Sequence, residues 1–156
     1  MYTVVRDTRE KVDHGWFWEA SATYSGTVVS KLDEGDYSIQ GYEQLVAIER
    51  KGSVSEWATN VIQDRFEREL ERLRSIKYVW ILLEFNIVDI LNYPVGSGIP
   101  KKMWKSIRCR GPFIIKRMIE IEVEYPNISI MLCGDQGKLV ASNIFKRMIE
   151  RIDKNG

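Results

Sequence analysis

The chain has 156 residues, 44% hydrophobic and 29% charged, with a net charge of +1 at pH 7. That length suits one domain burying its own core, and the composition is that of an ordinary globular protein, which excludes a collagenous or low-complexity chain. No apolar run is long enough to span a membrane, Met1-Tyr2-Thr3 has no leader character, and a single histidine, His14, excludes a His-rich metal site.

Charge is unevenly placed. Residues 1–85 carry 11 Lys and Arg against 15 Asp and Glu, a balance of −4, whereas residues 86–156 carry 12 against 7, or +5. An acidic front half and a basic back half suit a metal site beside a surface for a polyanion. Cys109 and Cys133 lack zinc-site spacing and suit a reducing compartment, so a cytoplasmic location is expected.

In chain order, Tyr2-Thr3-Val4-Val5-Arg6 reads as a first strand, with Asp7-Thr8-Arg9-Glu10 at its end. A helix is expected over Asp13 to Ser25, with Trp16, Phe17 and Ala20 on one face and Gly26 as its stop. Because a helix buries only one side, core packing with one of Trp16 and Trp18 partly exposed is expected, an exposed ring suiting a dimer face being the alternative. Thr27 to Leu32 reads as a second strand. Asp36 to Ile39 and Leu45 to Glu49 read as a hairpin turning near Gln40-Gly41-Tyr42.

A long helix is expected from Ser53, which stands three residues before Glu56 at capping-box spacing. Trp57, Val61, Phe66, Leu70 and Leu73 mark its buried face, and the opposite face is laced with charge. Tyr78 to Leu83 is a continuous apolar run of the central-strand kind, closed by Glu84 in a structural role. Pro94 to Gly98 is a loop. One helix starts near Pro100, and Gly111-Pro112 breaks it and starts another that runs to about Tyr125. Asn127 to Leu132 is a late strand. A closing helix over Gln136 to Ile152 turns Leu139, Ile144, Met148 and Ile152 inward. The sum is a single α/β domain with a mixed sheet.

The chemistry concentrates in the hairpin. Glu49 and Lys51 are two residues apart on one strand and point to the same side. Asp36 begins the other arm, so the turn returns it to Glu49. Two carboxylates meeting at a sheet end suit Mg²⁺, which takes few protein ligands and several waters. A lysine beside them can position or deprotonate a water, the arrangement used for phosphodiester cleavage. A Glu-x-Lys tripeptide alone is weak evidence, because solvated strand ends often carry one. Asp7 and Arg9 at the end of the first strand, Arg50 as a planar donor fork, and Arg65 on the next helix add context.

In order, Val5-Arg6-Asp7-Thr8-Arg9-Glu10, Gly35-Asp36-Tyr37 and Ile48-Glu49-Arg50-Lys51 resemble the signature motifs of the ERCC4 (XPF/Mus81-type) nuclease family. Asp64-Arg65-Phe66 through Glu71-Arg72-Leu73 resembles its arginine-bearing helix, and Tyr78 to Phe85 the strand after it. The motif-bearing core is residues 1–93. The tail, 94–156, is similar more loosely to stand-alone bacterial and phage members, which would place the protein in a bacterial or phage-infected cell.

The resemblance implies a restriction-endonuclease-like fold, a central mixed sheet flanked by helices. It implies Mg²⁺-dependent cleavage of DNA, with Mn²⁺ as a substitute, often at branched or single-strand/double-strand junctions. It gives Asp7, Asp36 and Glu49 the acidic metal cluster, Lys51 the general-base or water-positioning role, and Arg9, Arg50 and Arg65 a place near the phosphate. It also admits a homodimer or a heteropartner. One position departs from the family: the aspartate expected six residues after Glu49 is Ser55, with Glu56 beside it. Either Glu56 substitutes or that acid is missing. A catalytically silent junction-binding module or a dimerisation subunit of the same fold is the competing reading.

Lys101, Lys102, Trp104, Lys105, Arg108 and Arg110 form a basic stretch with one aromatic. It could grip DNA backbone with Trp104 stacked on an unpaired base, or be a solvated helix face with Trp104 in the core.

Overall fold

A computed structural model describes every residue, Met1–Gly156. Six strands form one sheet in the order β2-β1-β3-β4-β5-β6. They are β1 (Tyr2–Arg6), β2 (Tyr24–Val29), β3 (Tyr37–Ile39), β4 (Val46–Lys51), β5 (Tyr78–Leu83) and β6 (Ile128–Leu132). β3 runs antiparallel to both β1 and β4, and the other neighbours are parallel, so the sheet is mixed as expected. The helices are α1 (Val54–Asn60), α2 (Asp64–Leu73), α3 (Ile87–Asn92), α4 (Gly111–Glu124) and α5 (Gly137–Asn155). None is long and apolar enough to cross a membrane.

Alternation along β4 divides the core in two. Ala47 joins Trp57, Phe66, Leu70 and Leu73 of α1 and α2, with Ile114 and Ile121 of α4, in one apolar cluster. Val46 and Ile48 join Trp16, Trp18, Tyr37 and Phe145 of α5 in the other. The sheet is therefore the middle of three layers. At β5, Ile81 serves the first cluster and Leu82 the second, which explains its unbroken apolar run.

Several expectations fail, and the second strand runs over Tyr24–Val29 rather than Thr27 to Leu32. Residues 13–25 are not a helix. Trp16 and Trp18 are both buried and Phe17 is exposed, a period of two that marks an extended strap over the second cluster. The strap is tied down by Trp16 N–H donating to the Tyr37 hydroxyl (2.7 Å), Trp18 N–H to Thr27 Oγ1 (2.7 Å) and the Trp18 indole to Ser142 Oγ (2.8 Å). Gly26 is not a helix stop; it lies inside β2 at φ 130°, where the β1–β2 register shifts by one residue. The helix from Ser53 is two helices, broken between Asn60 and Asp64, although Ser53 Oγ does accept the Glu56 N–H at its start. Lys101–Ser106 is only a short 3-10 turn, and α3 adds a helix that the sequence did not suggest. On α5 Met148 is buried and Ile144 packs partly against the core as expected, but Gly137, Ala141, Phe145 and Ile149 complete the buried face and Leu139 is 59% exposed.

Candidate active site

Backbone pairing across three strands assembles the site. Asp7 N–H donates to the Asp36 carbonyl, and Asp36 N–H donates to the Ile48 carbonyl, each at 2.8 Å. The ends of β1 and β4 and the start of β3 are thereby locked together. Gly35 permits the entry into β3: its φ is +85°, and an added Cβ would stand 3.1 Å from Ala47 Cβ. The Asp36 carboxylate turns back to accept Arg50 N–H at 2.8 Å.

Asp36, Glu49 and Lys51 line a single cleft of about 180 Å³, together with Asp7, Arg9 and the α2 residues Glu69 and Arg72. The wall carries six acids (Asp7, Asp33, Glu34, Asp36, Glu49, Glu69) against three cations (Arg9, Lys51, Arg72), so its field favours a cation. Burial, then the nearby Glu10 charge, pushes the Asp36 carboxyl up to about 6. Burial and the facing Asp36 carboxyl raise Glu49 well above the usual carboxylate range. Two carboxyls desolvated against each other resist losing both protons unless a cation joins them. Lys51 Nζ is 3.9 Å from Glu49 Oε2 and stands over the Phe66 ring at 5.4 Å, with its side chain only 9% exposed.

Asp7 is in the same cleft but is engaged. It is 1% exposed, and its oxygens accept Leu32 N–H (2.7 Å), Arg9 N–H (3.1 Å) and Arg9 Nε (2.6 Å). Burial would raise its carboxyl, but the Arg9 bond and the backbone donors hold it below its ordinary value. Arg9 also donates to the Leu32 carbonyl at 2.9 Å, with its side chain largely in solvent. Arg65 does not line the cleft; it is an exposed residue of α2 within 3.5 Å of Glu69, which does. No three Asp, Glu, His or Cys side chains converge closely enough to cage an ion by themselves.

The structure does not bring Arg50 to the acids. Between Glu49 and Lys51 on β4, it points to the opposite face of the sheet. There it donates to Glu10 through Nε and Nη2, each at 2.9 Å, and to Glu84 through Nη1 at 2.8 Å. Only its backbone N–H serves the cleft. Glu56 is on the Arg50 side too, accepting Gly52 N–H at 3.1 Å beside His14 and Asp135. It therefore lines the Arg50 side and not the acid cleft. Glu10 is the residue whose importance sequence reasoning missed, whereas Glu84, expected to be structural, holds Arg50 in place. The Glu84 N–H also extends the β4–β5 ladder by one bond, to the Lys51 carbonyl.

In the back half, Lys101, Lys102 and Lys105 are exposed on the 3-10 turn and Arg108 just after it. Arg110 is spent on the carbonyls of Trp104 (2.7 Å) and Ile107 (3.3 Å). Trp104 is half-buried and its indole donates to the Ile99 carbonyl at 2.8 Å, so it is neither core nor a free stacking platform.

No protein-family model and no curated protein matches the chain. Among solved structures it is similar to XPF from Aeropyrum pernix, with a TM-score of 0.60 and 18% identity over 94% of this chain and 60% of that one. It is similar also to XPF from Aeropyrum pernix in complex with DNA, with a TM-score of 0.63 and 18% identity over 97% of this chain and 66% of the other. The chain thus spans about 60% of the first of these. At this identity the likeness is one of fold: a mixed sheet flanked by helices, similar to XPF, as the sequence motifs implied.

Proposed function

We propose that the chain is a metal-dependent DNA endonuclease, a single unit over residues 1–156 acting in the cytoplasm. It hydrolyses phosphodiester bonds, with branched or single-strand/double-strand junction DNA as the preferred substrate. The observation that carries this reading is the convergence of Asp36, Glu49 and Lys51 in one acid-walled cleft of an XPF-like fold.

The residues present fit Mg²⁺ or Mn²⁺. Mg²⁺ needs only one or two carboxylates and keeps its waters, and the Asp36–Glu49 pair is short of a compensating charge. Asp36 and Glu49 would hold the ion, with Asp7 behind them fixing Arg9. A bound ion supplies charge neutralisation at the scissile phosphate and a water of lowered pKa. Lys51 would orient the attacking water with Nζ or, as a neutral amine, take its proton, and the nearby Phe66 ring limits where that nitrogen can move. Arg9, largely in solvent, would meet a phosphate oxygen.

A second reading, a DNA-binding module without cleavage, draws on the engagement of Asp7 by Arg9 and on the lack of a preassembled three-ligand cage. Plasmid nicking in Mg²⁺, Mn²⁺ or EDTA separates the two. Metal-dependent nicking lost in Asp36→Ala and Glu49→Ala supports the nuclease. Metal-independent DNA binding with no nicking supports the silent module. A panel of flap, fork, Holliday-junction and linear duplex substrates then ranks the preferred DNA.

A further inference from the structure

Away from the acid cleft lies an apolar groove of about 430 Å³, between the end of α1, the end of α3 and the start of α4. Its walls are Ile62, Tyr93, Ile107 and Phe113, with Cys109 at its base and Arg108 on its lip. That volume is at the lower end for sites that take a small planar ligand. Resting on the proposed reading of the chain as a DNA enzyme, we infer that this groove receives an unpaired base of single-stranded DNA, with Arg108 meeting its phosphate.

Three observations carry the inference. The first is chemistry inside the groove. Tyr93 is 9% exposed and lines it, yet its hydroxyl has no hydrogen-bond partner in the protein and is not sealed from the groove. A mainly apolar slot with the unmet hydroxyls of Tyr93 and Ser106 at its wall is suited to a base, which offers a flat face and hydrogen-bonding edges. A purely apolar side chain would leave the Tyr93 hydroxyl unsatisfied.

The second is charge. Residues 90–119 contain seven Lys and Arg and no Asp or Glu. The five from Lys101 to Arg110 take part in no ion pair, although ion pairs are common elsewhere on the surface. The groove thus opens beside unneutralised cations, which favours a nucleic-acid strand over a neutral apolar peptide.

The third is position. Phe66, beneath Lys51, meets Trp57 edge-on at 5.5 Å, and Ala58, next in α1, lines the groove. Cleft and groove are therefore joined through one packed layer on the same side of the sheet. A strand held in the groove would give the acids a preference for DNA with an unpaired segment nearby. Trp104, whose indole is committed to Ile99, leaves base contact to Phe113, which is 39% exposed.

The test measures binding of the full chain, in EDTA so that nothing is cut, to labelled oligothymidylate and to a blunt duplex of equal length. Phe113→Ala, Arg108→Gln and Ile62→Glu are compared with Lys146→Gln on α5 as a charge control. Ile62 and Phe113 both reach solvent, and a melt of each variant verifies folding. The inference expects Phe113→Ala and Ile62→Glu to weaken oligothymidylate binding about tenfold, with duplex binding changed less than twofold. Equal loss on both DNAs would make the region a phosphate grip alone and overturn the inference, as would unchanged single-strand affinity. Metal-dependent nicking alongside unchanged single-strand affinity overturns the groove and leaves the nuclease reading standing. A chain that neither binds nor nicks DNA overturns both.

Discussion

Glu49 and Arg50 are joined by one peptide bond and occupy opposite electrostatic states. Arg50 faces a layer in which both of its forks meet carboxylates, and its side chain is 7% exposed. Glu49 faces Asp36 and Glu69, acids like itself, with Lys51 at 3.9 Å as its nearest cation. The period of two along β4 sorts a charged triplet into a satisfied side and an unsatisfied one. The satisfied side holds the strand end in place. The unsatisfied side carries charge that the fold does not neutralise, and that deficit is what a ligand can fill.

The largest expected effect tests the satisfied side. Arg50→Ala leaves Glu10, 6% exposed in its side chain, and Glu84 without their cation. Breaking one partner from such a network should cost about 3–5 kcal/mol of stability by urea unfolding. If Arg50→Ala is near neutral in stability but abolishes nicking, Arg50 belongs to the chemistry and the division across β4 is wrong.

Next comes the unsatisfied side. Lys51→Ala should lower nicking at least about a hundredfold, roughly 3 kcal/mol in the barrier, while DNA affinity in Ca²⁺ changes little. Backbone affinity comes from other cations, such as those from Lys101 to Arg108. A variant that mainly weakens binding would instead make Lys51 a phosphate clamp.

What the sequence disclosed follows from the same periodicity. Asp36, Glu49 and Lys51 were legible because a hairpin fixes both register and side, so residue spacing alone places them. Arg50 was misplaced when the motif was taken as a unit; its own alternation already excluded it from the Glu49 side. Trp16-Phe17-Trp18 reads equally as a piece of helix or of extended chain over three residues. Only tertiary contacts decide it: the Tyr37 ring stacks on Trp16, and Ser142 Oγ accepts from the Trp18 indole. Glu10 follows β1 within a turn, where no period holds, and its partner is 40 residues away. The break between α1 and α2 has neither Gly nor Pro to announce it.

A smaller effect concerns acid and stability. The Asp36 carboxyl is raised in the folded protein to about 6, above its unfolded value, and Glu49 is raised as well. Such a group contributes stability that is fully present below the unfolded value, near pH 4, and is lost as pH rises through the folded one. The metal-free protein should therefore weaken between about pH 4 and pH 7. Asp36→Asn should remove most of that loss, raising stability at pH 8 by on the order of 1–3 kcal/mol and hardly at all at pH 4. Added Mg²⁺ should stabilise the parent chain at pH 8 and not the variant. A loss of stability in Asp36→Asn at pH 8 would mean that the Arg50 N–H bond outweighs the repulsion.

The smallest effect separates the sides most sharply, because it concerns an acid that sequence alone could assign to either. Glu56 is next to the position where the ERCC4 pattern has an aspartate, yet its carboxylate caps Gly52 N–H on the Arg50 side. Its own N–H, in turn, is held by Ser53 Oγ at 3.2 Å. Glu56→Gln keeps an oxygen able to accept from Gly52 and removes only the charge near the start of α1. The expected cost is about 0.5 kcal/mol or less, with nicking in saturating Mg²⁺ unchanged within twofold. Ser53→Ala, which deletes the cap itself, should cost about 1 kcal/mol and also leave the chemistry alone. If Glu56→Gln instead raises the Mg²⁺ concentration needed for half-maximal nicking, the carboxylate reaches the ion. The two sides of β4 would then share one site around the strand end.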